Sequence, residues 1–466
     1  MLLLARYVLP VTGNEQFDVR GIENGAVLVR DGRIADVGHA LELRRRYPTE
    51  ETRDFGQAVL MPGFVDCRTR LEYATLRGIT NDAPYVDWEA YILKKAAMLS
   101  PQDWEDAAIL GAFEAVRSGI TTVADTTRTG AGFHAMKAIG LRGIAYREVG
   151  SKTRADIETN LRRAVDDIES WGGAGGRIRA GIATEHLYTC HPEMLGAVAR
   201  YATETRTPVC VDIAGSIEEY NFIKYGHAPF AVANEDEDLS AIEDSQAAAL
   251  LPTGCSPVRY VLNWDILDVP EVLAVQCVKL DDDDIAHLAE RDVRVGVCSR
   301  ANAKLGMGVA PVAKMRAAGV TVGLGTGSVA ACDSLDPFEE MRFTLLMQRA
   351  SNGRSGFITG PGMVKMATLD SARALRMDDQ VGSLEVGKLA DVIAVDLSGT
   401  RQIPTHFPNS AVIHTAHPAN VLMTMIGGEV VYDATDEISP LLTMDPREIR
   451  RILANTDRAR AKLRQA

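Results

Sequence analysis

One alternation dominates this chain: a strand-sized apolar run followed by a stretch with apolar residues at helical spacing, repeated eight times. The runs are Val59–Cys67, Thr121–Thr126, Arg142–Gly150, Arg177–His186, Pro208–Gly215, Val272–Leu280, Val293–Arg300 and Thr321–Ser328. Helical segments lie between or after them, among them Pro101–Ser118, Ala155–Trp171, Pro192–Thr205, Asp282–Glu290 and Pro337–Ala350. An acid-rich first turn (Asp103, Glu105, Asp106) and glycine after a last turn (Gly119, Gly319) fit helix ends. The acidic run Asp281–Asp284 complements the dipole at a helix start. Eight strand–helix units over about 320 residues specify an α/β fold, a closed (β/α)8 TIM barrel. An open doubly wound sheet is the alternative, but no Gly-x-Gly-x-x-Gly follows an early strand.

The flanks read differently. Short runs at Leu2–Val11, Ala26–Arg30 and Arg33–Gly38, with Asp31-Gly32 as a hairpin turn, return late at Leu389–Asp396, Ala411–His414 and Asn420–Tyr432, where Gly427-Gly428 is the turn. Neither set buries much alone, so one small sheet built from both chain ends is favoured over two separate modules. The expected division is a β-sandwich domain from residues 1–57 and 377–440, a barrel domain from 58–376 and a C-terminal helical segment, 441–466. In that last segment Ile449, Ile452, Leu453 and Leu463 have the spacing to pack on the barrel or on a neighbour.

Composition excludes several functions. With 46% apolar and 24% charged residues in 466, the chain is of ordinary globular type. A net charge of −13 argues against a broad nucleic-acid-binding surface. No stretch approaches about 18 apolar residues, so no membrane span is expected, and Arg6, Tyr7 and Pro10 break the apolar N-terminus. Seven scattered cysteines without a Cys-x-x-Cys pair read as reduced thiols of a cytoplasmic protein.

The first strand run continues as Met61-Pro-Gly-Phe-Val-Asp-Cys-Arg-Thr-Arg-Leu-Glu72. Together with Leu76-Arg-Gly-Ile79, Thr121-Thr-Val-Ala-Asp125, Asn302-Ala-Lys-Leu-Gly-Met-Gly-Val-Ala-Pro311 and Gly382-Ser-Leu-Glu-Val-Gly-Lys-Leu-Ala-Asp391, it resembles the amidohydrolase superfamily over almost the whole chain. The branch it resembles is the chlorohydrolases and aminohydrolases, similar to cytosine deaminases and triazine hydrolases. That resemblance implies a barrel with a small β-sandwich from both termini, and C–N hydrolysis or deamination at one divalent metal. Family ligands are a His-x-His pair ending strand one, histidines ending strands five and six, and an aspartate ending strand eight. Carried over, these positions hold Arg68 and Arg70, Asp212, Gln276 and Gly327; Gly215 stands for the acid–base glutamate. All metal ligands are thus expected to be replaced. His39, His134, His227, His287, His406, His414 and His417 fall outside the strand ends, and only His186 and His191 approach them. A rebuilt site from Asp212, Glu185, His186 and Cys298 is the metal-binding alternative.

Two arginines two positions apart on a strand share a side, so Arg68 and Arg70 both face the barrel mouth. Guanidiniums held together need an anion. It is either internal (Asp212, Glu185 or Glu72), making a structural plug, or part of a ligand. Candidate catalytic residues are Asp212 and Glu185 as general bases, His186 as a proton shuttle, and Lys279 as a cation or base. Candidate substrate contacts are Arg68, Arg70, Gln276, Glu72, Arg300 and Asn302. Arg128, Ser328 and Asp333 lie near the strand ends as weaker candidates. No metal and no cofactor is expected. The expected function is a divergent, metal-independent enzyme acting on a small, anionic, nitrogen-containing substrate. The chemistry is C–N hydrolysis by resemblance, or proton transfer as in elimination or cyclisation. The alternative is a non-catalytic protein that binds a ligand or a catalytic partner subunit. Neither nucleic acid nor membrane is an expected partner, and the resemblance implies a homo-oligomer.

Overall fold

Gly63 divides the first expected strand in two. The computed structural model describes residues 1–13, 20–172, 176–226, 252–436 and 438–465. In it Ala58–Pro62 joins a sheet made by both chain ends, while Phe64–Arg70 begins a second sheet. A Cβ on Gly63 would lie 2.2 Å from Thr121 Cγ2, so the crossing between sheets needs glycine.

The second sheet is parallel throughout. Its strands are β1 (Phe64–Arg70), β2 (Ile120–Thr127), β3 (Arg142–Val149), β4 (Ile178–Thr184), β5 (Val209–Ile213), β6 (Val272–Gln276), β7 (Arg294–Val297), β8 (Val322–Leu324) and β9 (Gly327–Ser328). Their order is β8-β7-β6-β5-β4-β3-β2-β1-β9. Only Gly325 and Thr326 separate β8 from β9, yet these strands sit at opposite ends of the order, β8 on β7 and β9 on β1. Two residues reach about 7 Å, far less than the width of an open sheet of nine strands about 4.8 Å apart. The ends of the order therefore adjoin, consistent with a TIM-barrel-like fold. Val65, Cys67, Ala124, Ile144, Tyr146, Ala183, Cys210, Leu273 and Val275 pack inside, closed from one end by Ala372 and Leu375. This is a filled interior and not a pore.

The terminal sheet has eight strands, ordered Glu429–Asp433, Val421–Ile426, Val392–Asp396, Ala58–Pro62, Leu2–Val8, Ile22–Arg30 and Arg33–His39, with Thr52–Asp54 beside Leu2–Val8. Both chain ends thus build one sheet. Side chains alternate between faces: Leu3, Ala5, Val27 and Val29 pack on one, Leu2, Leu4, Ala26 and Leu28 on the other. Both turns have positive φ at each central residue: Asp31 48°, Gly32 73°, Gly427 58° and Gly428 82°. These match the twist of the strands they join. The run Ala411–His414 is not a strand. It forms the end of a helix, Pro408–His414, because Pro408 supplies the fixed φ and missing N–H tolerated in a first helical turn. The C-terminal helix Pro446–Gln465 lies along Pro101–Arg117, where Asn455 Nδ2 donates to Asp106 Oδ2 at 2.6 Å, and Lys95 Nζ, from the preceding helix, donates to Leu463 O at 2.7 Å. All seven cysteines are free. Among the described residues no helix is long and apolar enough to cross a membrane.

Candidate active site

A bulge in β1 aims the two arginines. Asp66 pairs with Val123 and Thr69 with Asp125, so three steps along β1 match two along β2. The extra residue lets Cys67 stay in the packed interior, against Gly296 and Gly323, while Arg68 and Arg70 enter the mouth above it. Asp66 anchors the bulge: its carboxylate accepts from Arg68 N and Thr326 N at 3.0 Å and from Thr326 Oγ1 at 2.7 Å. Burial pushes its pKa up to about 6, against those donors.

Each arginine has a carboxylate of its own. Arg68 Nη2 lies 2.7 Å from Asp212 Oδ2, both side chains buried. Arg70 makes a two-pronged contact with Glu148, Nη1 donating to Oε2 at 3.0 Å and Nη2 to Oε1, and its guanidinium sits over the Tyr73 ring at 5.3 Å. Burial would raise the Glu148 pKa, but the charge and hydrogen bonds of Arg70 hold it at about 2. The anion facing the arginines is thus internal. Asp212 is one of the internal partners expected from the sequence; Glu148 is an addition, although Ile144, Tyr146 and Glu148 share one face of β3 by alternation.

Above these pairs lies a cavity of about 170 Å³. At about 30 Å³ per water this is room for roughly six waters, or one ring-sized molecule. Its charged lining is balanced: Arg68, Arg70, Arg128 and Lys152 against Glu89, Glu148, Glu185 and Asp212. One wall is apolar and aromatic, with Tyr73, Leu305 and Met307 joined by Tyr85, Trp88, Ile92 and Leu93 of the helix Tyr85–Ala96. That helical face was missed; its signal is the spacing 85, 88, 92 in a segment between the first two barrel strands. At the rim Arg128 Nη2 donates to Glu185 Oε1 at 3.0 Å. Burial, and then the charge of Glu148, raise the Glu185 pKa, with Arg128 opposing. His186 Nε2 is 3.2 Å from Glu89 Oε1, and its ring stacks on Tyr188 at 5.3 Å. Tyr188 OH donates to Glu89 and meets Tyr85 OH at 2.6 Å.

Residues 59–431 match the amidohydrolase family, and residues 25–49 match a bacterial imidazolonepropionase-like composite domain. This chain belongs to the amidohydrolase family. The 5-methylthioadenosine/S-adenosylhomocysteine deaminase of Symbiobacterium thermophilum is 33% identical over 91% of this chain and 92% of that protein. The protein of the same description from Desulforudis audaxviator is 30% identical over 92% and 93%. An adenosine deaminase structure from Xanthomonas campestris, with bound zinc, superposes with a TM-score of 0.84 at 25% identity, covering 100% of this chain and 98% of that one. A zinc complex of an atrazine chlorohydrolase from Arthrobacter aurescens shares the fold, with a TM-score of 0.80 at 19% identity, covering 98% of this chain and 100% of that one.

In this amidohydrolase the cavity brings together Arg68, Arg70, Glu185, His186, Asp212 and Gln276, along with Arg128 and Ser328. It does not bring in the other four candidates. Glu72 is fully buried and holds the loop after β2, accepting from Thr127 Oγ1, Arg128 N and Thr129 Oγ1 at 2.6–2.7 Å. Lys279 lies outside the lining, because the chain turns away after β6 through positive φ at Gln276 and Cys277. Arg300 is absorbed by the backbone, donating to the carbonyls of Cys332, Ser334 and Asp336. Asn302 is buried behind the wall formed by Ala301 and Leu305. Asp333 is paired with Lys304, also away from the cavity.

The described donors of the cavity do not fit a divalent metal. Among the described residues no group of three or more His, Cys, Asp or Glu side chains is arranged to hold one. Nor do the members of a rebuilt set converge: Asp212 is held by Arg68, Glu185 by Arg128 and His186 by Glu89. Burial pushes the Cys298 thiol far above its usual range, away from a metal-binding thiolate. His227 lies outside the described residues.

Proposed function

We propose that this chain is a divergent amidohydrolase-family enzyme that works without a bound metal on a small nitrogen-containing substrate carrying an anionic group. One observation carries the reading. Strand-end positions where the family resemblance calls for metal ligands hold Arg68 and Arg70, each locked to a buried carboxylate beneath a ring-sized cavity. The two guanidiniums stand in for the charge of an ion. The names of the relatives support hydrolytic deamination of a C–N bond. Proton-transfer chemistry, such as elimination or cyclisation, needs fewer parts than activation of a water without a metal. In either case Glu185 is the acid–base group, since burial strengthens its hold on a proton, and His186 lies beside it. The anionic group of the substrate faces the rim of the cavity, where Arg128 and Lys152 join the lining. The division into residues 1–57 with 377–440, 58–376 and 441–466, a closed eight-unit barrel, a cytoplasmic setting and a homo-oligomer complete the reading.

A second reading, a non-catalytic protein binding a ligand or a catalytic partner, is favoured by the same ion pairs, which leave Asp212 and Glu148 engaged as bases. Elemental analysis by plasma mass spectrometry of protein purified without chelators tests the first claim. Substoichiometric zinc and iron support it, and one ion per chain refutes it. Consumption of a bound compound that stops in Glu185→Gln, with folding intact, separates enzyme from binder.

A further inference from the structure

Three cations converge on one carboxylate at the base of the barrel. Arg373 Nη1 lies 2.9 Å and Lys365 Nζ 3.2 Å from Asp370 Oδ1, and Arg316 Nη1 lies 3.2 Å from Oδ2 of the same carboxylate. All four residues line a second cavity of about 170 Å³, together with residues 319–322. It adjoins the N-terminal end of β8, which begins at Val322, whereas the mouth is lined by Gly327 and Ser328 beyond the other end of that strand. The two cavities are separate, so this one does not depend on any reading of the mouth. About a third of each cationic side chain is open to solvent, and Asp370 is buried beneath them.

The backbone is shaped to gather these charges. Lys365 and Asp370 are five residues apart, a spacing that in a regular α-helix sets two side chains about 140° apart round the axis. Here Met366–Asp370 is a π-helical turn, and its wider winding brings the fifth residue back to the same side. Arg373 reaches Asp370 by ordinary helical spacing, and Arg316 comes from a separate helix, Val312–Ala317.

One carboxylate does not balance three cations, so the lining carries an excess of two positive charges. The surroundings do not remove it. Asp378 Oδ2 lies 3.7 Å from Arg373 Nε, but beside it Arg294 and Arg376 share the single carboxylate of Asp292, and Arg294 Nη1 donates to Thr321 Oγ1 at the cavity wall. Over these paired groups five cations meet three carboxylates, in a chain whose net charge is −13. Ion pairs this exposed add little to stability, and crowding like charges costs some of it, so folding gives no reason for the excess. Donors are left over as well: an arginine has five N–H groups and a lysine three, and each gives only one nitrogen to Asp370.

We propose that this cavity binds a phosphate group, held by Arg316, Lys365 and Arg373. A phosphate dianion matches the excess charge of the lining and offers an oxygen to each cation, whereas a carboxylate has one charge and two oxygens. At about 30 Å³ per water, the cavity holds the group with a few waters around it. The same chemistry is met by a free phosphate ion and by the phosphate of a monoester.

Calorimetry on the full chain with inorganic phosphate and with ribose 5-phosphate, against chloride at equal ionic strength, tests the site and separates its two sources. Phosphate should bind in the millimolar range or tighter. Ribose 5-phosphate binding at least as tightly identifies a monoester as the ligand, and its exclusion identifies the free ion. Arg316→Gln and Lys365→Gln each remove one charge from a partly exposed position, and each should weaken binding roughly tenfold with circular dichroism and Tm near those of the parent. The proposal is overturned if neither probe binds beyond what chloride does. It is also overturned if both variants bind as tightly as the parent, since the anion then sits elsewhere, the mouth included. Zinc found in the protein would sink the metal-free reading of the mouth and leave this result untouched.

Discussion

Replacing Arg70 with methionine isolates the role of the inner ion pairs. The substitution keeps most of the side-chain length and removes the charge, leaving Glu148 buried without its cation. Holding a carboxyl at about 2 instead of the usual 4.5 corresponds to roughly 3 kcal/mol, at about 1.4 kcal/mol per pH unit. Breaking a buried pair by removing one partner typically costs about 3–5 kcal/mol. Unfolding entropy near 60 °C is about 2.1 cal/mol/K per residue, so a chain of 466 residues loses roughly 1 °C of Tm per kcal/mol. Arg70→Met should therefore lower Tm by about 3–5 °C at neutral pH. The pH dependence has a definite sign. In the parent the depressed Glu148 contributes stability that is fully present above about 4.5 and is lost as pH falls toward 2. In the variant only the charges of Arg128 and His186 still oppose burial, so the Glu148 carboxyl moves up, the deficit is largest at high pH and it shrinks as pH falls. Differential scanning fluorimetry at pH 5 and 8 reads both effects. Arg70→Met with Glu148→Leu removes the stranded charge and should recover most of the loss. A Tm within a degree of the parent at pH 8, or a deficit that grows on acidification, would show that the pair is not the internal clamp described here.

Other consequences are open to measurement. Burial raises the Glu340 pKa to about 8, so this carboxyl is protonated in the folded chain at neutral pH, and its contribution is lost as pH rises through that value. That loss begins near the usual value of 4.5 and is complete above about 8, so Glu340→Gln should match the parent in Tm near pH 4 and exceed it by a growing margin up to pH 9; an equal Tm at pH 9 contradicts the burial argument. A Cβ at residue 132 would fall 2.0 Å from Asp125 Oδ2, whose other oxygen holds Thr69 Oγ1 and Leu71 N beside Arg70. Gly132→Ala should cost about 1–3 kcal/mol in denaturant titrations, and a neutral result would mean that the β2 end yields freely. Six cysteines are buried and Cys255 is partly exposed, so mass spectrometry after brief native alkylation should find Cys255 modified first, with the rest reacting only on unfolding.

The parts of this fold that are readable in the sequence are those with local causes. Strand-length runs rich in apolar residues mark β1 to β8, and β9 falls at the end of the eighth run, Thr321–Ser328, because strands covered on both faces carry many apolar residues. Asp31-Gly32 and Gly427-Gly428 mark hairpins because both positions need positive φ. Period two correctly turns Arg68 and Arg70 to one side. Which carboxylate each arginine meets depends on the β1 bulge and on strand neighbours, and neither has a signature in spacing. Glu72 shows the difference: it lies two residues past Arg70, but its oxygens are taken up by the loop after β2. The helix Tyr85–Ala96 reaches the mouth from a connection, so attention to strand ends overlooks its aromatic face.

Ion pairs are a poor way merely to fill a barrel mouth. Buried pairs add little stability beyond what packed apolar side chains of equal volume provide, and such replacements are often neutral or stabilising. If positions 68, 70, 148 and 212 served only as a plug, leucine and methionine would close the gap with no polar atom left unpaired. Instead the pairs stop short of closure. Arg68 Nη1 and Asp212 Oδ1 remain unpartnered, as does Trp88 Nε1 in the wall, around one cavity. An unsatisfied buried polar group costs on the order of 1–3 kcal/mol unless something occupies it. The two-pronged Arg70–Glu148 contact uses both carboxylate oxygens, and the single contact between Arg68 and Asp212 leaves one buried atom of each unpaired. A plug would use all of its hydrogen-bonding groups on itself; these pairs leave Arg68 Nη1 and Asp212 Oδ1 unpartnered.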